Sequence, residues 1–82
     1  MSDTITTLAA RLAEDTMKVM DETGEDRFFV EVGEVLGAAS QSLEEAFLTE
    51  IRVRMAERKA RQFVVKKLSD HRSKLKAIEK QQ

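Results

Sequence analysis

The chain has 82 residues, 41% hydrophobic and 35% charged, with a formal net charge of −1, four Phe as its only aromatics, and no Cys, Pro, Trp or Tyr. Without Cys there is neither a disulfide framework nor a thiolate zinc or iron–sulfur site, and no apolar run is long enough for a transmembrane span. Asp3, Glu14 and Asp15 stand where a signal peptide would be basic and then apolar, so a soluble, cytoplasmic chain of one domain, residues 1–82, is the expectation.

The first predicted helix covers about 4–22. Ser2 and Asp3 are N-cap types. Ile5, Leu8, Leu12 and Val19 recur near heptad spacing, and Ala9, Ala13, Met17 and Met20 widen the stripe. Gly24 follows as a left-handed stop, and residues 23–26 read as a connector. The second helix is predicted over about 27–38, capped by Asp26, with Phe28, Val32, Val35, Leu36 and Ala39 at helical spacing. The string from Phe28 to Val35 also carries strand character, since Val30 and Val32 alternate with Glu31 and Gly33. Helix is preferred because a lone strand would leave both edges unpaired. Gly37 reads as the end of this helix, and residues 37–42 as a break. Ser42 followed by Glu45 matches a capping box. The third helix then runs over about 42–78, on the order of 50 Å, with residues 79–82 fraying.

A helix of that length outreaches a small domain. About 100° per residue separates two apolar stripes on it. One is Leu43, Phe47, Ile51 and Met55, with Leu48 beside it. The other is Ala60, Val64, Leu68, Leu75 and Ile78, with His71 in the same row and Ala46 and Val53 as its extension. One stripe can cover the first two helices; the other needs a further cover, and a second copy is the economical one. Size points the same way. A chain this short buries only about 60% of its unfolded surface, and it stands just above the roughly 70–80 residues below which domains usually lean on a disulfide, a metal or a partner.

Charge is strongly divided. Residues 1–50 hold three basic against twelve acidic residues, net −9; residues 51–82 hold eleven against three, net +8. Three uses of that division compete: acidic helices offsetting the basic one, acidic and basic ends of two copies pairing, or a docking surface for a polyanion. Arg54, Arg58 and Arg61 share a face, with Arg72 and Lys76 further along, and these five are the candidate polyanion contacts. Lysines 59, 66, 67 and 74 ring the remaining polar surface, as on a solvated amphipathic helix. An anionic membrane surface is a weaker possibility of the same kind.

Val32 to Phe47, VGEVLGAASQSLEEAF, resembles the helix-turn-helix motif of DNA-binding repressors, with Val32, Gly33, Leu36, Gly37, Leu43 and Ala46 in the small and apolar places. The resemblance covers about sixteen residues and implies two helices meeting at a turn. It departs at the would-be recognition helix, where Glu44, Glu45 and Glu50 precede the first base, Arg52, and only Gln41 and Ser42 could read base edges. The resemblance therefore implies the turn without the DNA reading.

His71 is the only histidine, and a seam position with a partly buried ring is its expected role; facing its own copy, it would act as a pH-sensitive contact. Asp21, Glu22, Glu25 and Asp26 lack the glycine and terminal glutamate of a calcium loop. No catalytic triad order, phosphate loop or ligand set is present. The expectation is an all-α protein, two shorter helices packed on a long C-terminal helix in a dimeric bundle, with no enzymatic activity, cofactor or metal. Its expected role is a helical interaction or oligomerisation module, with Leu43, Phe47, Leu48, Ile51, Met55, Val64, Leu68, His71, Leu75 and Ile78 at the interface. The alternative is nucleic-acid binding through the basic helix. A small protein that masks a different partner is a third reading.

Overall fold

A computed structural model describes residues 3–81 as three helices: α1 (Asp3–Thr23), α2 (Phe28–Ala39) and α3 (Gln41–Gln81). The fold is all-helical, and α1 and α2 pack against α3. No strand occurs among the described residues, so the strand character of Phe28–Val35 is not expressed. At about 1.5 Å per residue, α3 is about 60 Å long, and it sets the longest dimension of the molecule, 65 Å against 29 and 13 Å.

The helix ends differ from the sequence reading in instructive ways. Asp3 already lies within α1, while Ser2, the other expected cap, lies outside the described residues. Gly24 takes φ +76° and its N–H donates to the Met20 carbonyl at 2.9 Å, so it ends α1 as expected. The residue preceding α2 is Arg27, not Asp26, and no side chain caps that end. Gly37 does not stop α2, which runs on to Ala39; the residue that breaks the path is Ser40, with extended backbone at φ −157°, ψ 108°. Ser40 serves both neighbours. Its N–H donates to the Leu36 carbonyl at 2.7 Å, and its Oγ accepts the Leu43 N–H at 3.2 Å. The cap of α3 is therefore Ser40 and not Ser42, because the hydroxyl must stand just outside the helix to reach a free N–H. At the far end, α3 remains helical to Gln81, so the expected fraying of residues 79–81 is not seen.

Two glycines set how closely α2 meets α3. A Cβ on buried Gly33 would stand 3.3 Å from Leu48 Cδ2, and one on Gly37 would stand 2.9 Å from the Glu44 carboxylate. Gly33 offsets its low helix propensity by admitting Leu48, whereas exposed Gly37 faces only the flexible end of Glu44. The link between α2 and α3 is one non-helical residue, shorter than the three or four of a helix-turn-helix. Likeness to that motif stops at the close approach of the two helices.

The core is small. Ala9, Ala13, Met17 and Thr16 of α1 and Phe47 and Ile51 of α3 are buried. Leu12, Phe29, Val32, Leu36, Leu43, Ala46, Leu48 and Met55 pack around them, half-buried. Both principal rows advance by four residues, 9–13–17 and 47–51–55, the ridge spacing of helix packing. The alanines bring α1 close enough for Phe47 and Ile51 to fill the space between helices. The sequence reading had the larger Ile5, Leu8 and Val19 leading this stripe, yet these are 38–47% exposed while the alanines are buried. On α2, Phe29, Val32 and Leu36 face the core, whereas Val35 and Ala39 are exposed.

Asp21, near the end of α1, meets Arg58, and Gly33, midway along α2, meets Leu48. With Met17 beside Val53 and Arg54 and Gly37 meeting Glu44, α1 runs alongside the first part of α3 in the same direction, and α2 returns antiparallel against both. From Ala56 to Lys80 every residue of α3 is exposed. Its distal half projects beyond the bundle as a bare arm.

Candidate interaction surface on the distal helix

The ten expected interface residues divide into two groups. Phe47 and Ile51 are completely buried by their own chain, and Leu43, Leu48 and Met55 are half-buried against the same core. All five serve the fold of the single chain, and Phe47 and Ile51, fully buried, offer no surface to a second copy. Ala46, which the sequence places with the second stripe, is half-buried against the same core, so α1 and α2 cover this row and its flanks.

Val64, Leu68, Leu75 and Ile78 have no such cover and are 64, 48, 47 and 54% exposed. His71 stands exposed in the middle of that row, so no partner within the chain buries its ring. Spacings of 4, 3, 4 and 3 from Val64 to Ile78 keep the five residues on one face, as in a two-heptad seam. Val53 (61%) extends the row back along the bundle. Phe63 and Val65, 75 and 58% exposed, flank it. The sequence reading missed these two because they sit off the stripe, although an aromatic with no core beneath it was itself a signal.

The candidate polyanion row is largely neutralised within the chain. Arg58 holds Asp21 in a two-pronged pair, with Nη1 and Nη2 donating to the two carboxylate oxygens at 2.7 and 2.8 Å. Arg54 Nε donates to Glu50 at 3.3 Å and Arg61 Nε to Glu57 at 2.7 Å, each one turn away. The hydrogen bonds from Arg58 hold the Asp21 carboxyl below the usual carboxylate range, and the same contact raises Arg58 further above neutrality. Arg72 and Lys76 are exposed on the arm. Lys66 is paired with Asp70 at 3.0 Å.

Among the described residues, no three His, Cys, Asp or Glu side chains come together as a metal site, and Asp21 of the acidic cluster is already engaged by Arg58. No helix there is long and apolar enough to cross a membrane. No protein-family model, curated protein or solved structure matches the chain, so its role is argued from the exposed row and its charges.

Proposed function

We propose that this chain is a non-catalytic helical interaction module that works by self-association, with the distal half of α3 as its contact element. The observation that carries this reading is the arm itself. Val64, Leu68, Leu75 and Ile78 line one helical face from which their own chain is absent. Contiguous apolar surface of that kind marks association surfaces in soluble proteins, and helices in proteins draw most of their stability from packing an amphipathic face. Leu68→Asp with Leu75→Asp tests it, because neither side chain supports the core. Light scattering coupled to size exclusion is expected to give a multiple of the chain mass for the native protein and the single-chain mass for the double variant. A folded native chain that stays monomeric at micromolar concentrations overturns the reading.

The divided charge supports a second reading, nucleic-acid binding by the arm. Pairing of Arg54, Arg58 and Arg61 with carboxylates leaves it Arg72, Lys76 and the lysines, which ring the helix and do not track one backbone. Phosphate binding weakens steeply with salt, and absence of retention on nucleic acid at low salt removes this reading.

A further inference from the structure

We infer that the arm of one copy lies on α1 of a second copy, antiparallel to it, each copy giving its arm and receiving the other's; this rests on the self-association proposed above and names the surfaces that meet. Rows of large exposed apolar residues occur in two places, while Val35 on α2, 73% exposed, stands apart from both. One is the α3 row. The other is on the bundle, where Ile5, Leu8 and Val19 are 38, 47 and 40% exposed. With half-buried Leu12 they form a second heptad row that the core leaves open. The rows match in length: Ile5 to Val19 and Val64 to Ile78 each span 14 positions, about 21 Å of helix.

Charge selects between arm-on-bundle and arm-on-arm. Residues 59–82 hold eight basic residues against Asp70 and Glu79, net +6; residues 1–58 hold six basic against thirteen acidic, net −7. Antiparallel arms would set Lys67 against Lys74. Parallel arms would set Lys67 against Arg72, offset only by Lys74 against Glu79. On α1, exposed Asp15 takes the place in the row between Leu12 and Val19, and with Val19 opposite Val64 and Ile5 opposite Ile78 it stands level with Leu68 and beside Lys67, while Arg11 and Lys18 lie further round. The acidic turn carrying Glu25 and Asp26 follows at the end of α1. Topology supplies the closure. Because α1 and α3 run in the same direction, a two-fold axis near the junction of bundle and arm lays each arm antiparallel along the other copy's α1, and the assembly stops at two.

Charge reversal and crosslinking test the placement in the full chain. Lys67→Glu, and separately Asp15→Lys, are each expected to weaken the dimer several-fold at low salt, and the two changes together to recover most of that loss. The chain has no cysteine of its own, so Leu8→Cys and Leu75→Cys chains mixed under oxidising conditions are expected to join to each other. Preferential joining of Leu75→Cys to itself places arm on arm and overturns the inference. A native dimer indifferent to both charge reversals also overturns it while leaving self-association standing. A native protein that is monomeric at every concentration removes both, and helical content unchanged by circular dichroism shows that each variant still folds.

Discussion

The proximal and distal halves of α3 are built from similar residues and meet opposite surroundings. In the first half, Phe47 and Ile51 are completely buried, because α1 presents Ala9 and Ala13 and comes close, and α2 presents Gly33 and lets Leu48 in. In the second half, Phe63 and Val64 are 75 and 64% exposed, because α1 and α2 end before reaching them. The contrast separates two uses of amphipathicity within one uninterrupted helix. Apolar residues with a companion helix make the fold; the same residue types past the end of the companions make a surface.

The largest expected break in this comparison is between two phenylalanines sixteen residues apart. Phe47→Ala is expected to destabilise by about 3–5 kcal/mol, as for large-to-small changes in a core. Phe63→Ala is expected to change the stability of the single chain by no more than about 0.5 kcal/mol. Denaturant titration at a concentration where the protein is monomeric reads both, and equal effects would erase the distinction. The glycines sharpen it next. Gly33→Val pushes against Leu48 and is expected to cost about 1–3 kcal/mol, as overpacking does. At Gly37 the obstacle is the far end of the flexible Glu44 side chain, so Gly37→Ala is expected to stabilise by about 0.5–1 kcal/mol.

Loss of the Ser40 cap is smaller. Ser40→Ala is expected to cost about 1 kcal/mol, while Ser42→Ala leaves stability nearly unchanged, and thermal melts of the two variants check the difference. The smallest effect belongs to the Asp21–Arg58 pair, whose side chains are about half exposed. The folded-state pKa of Asp21 is depressed. Its contribution is therefore present above the carboxyl's unfolded pKa and lost as pH falls through the folded value. Asp21→Asn is expected to flatten the acid limb of a stability-against-pH curve slightly and to leave its alkaline limb alone.

Much of the architecture was legible from spacing. The three helices, the left-handed glycine after the first, and the row Leu43–Phe47–Ile51–Met55 all follow from periodicity, because each repeats a signal over several turns. What was not legible depends on distances between helices. Nothing local to Ala9 and Ala13 says that they, rather than Ile5 and Leu8, will be buried; that is decided by how closely α3 can approach. The cap fell on Ser40 because α2 continues through Gly37 and leaves the extended residue there, although Ser42–Glu45 reads better as a string. On α3, the separation of two apolar stripes was readable, but the covering of the first by its own chain required knowing where α1 and α2 stop.

Amide hydrogen exchange followed against protein concentration tests the division most directly. Backbone amides around residues 9–17 and 47–51 are expected to be protected at every concentration. Those of residues 63–78 are expected to exchange freely in dilute protein and to slow as copies associate. Distal amides whose exchange stays fast and indifferent to concentration, up to hundreds of micromolar, would contradict the account.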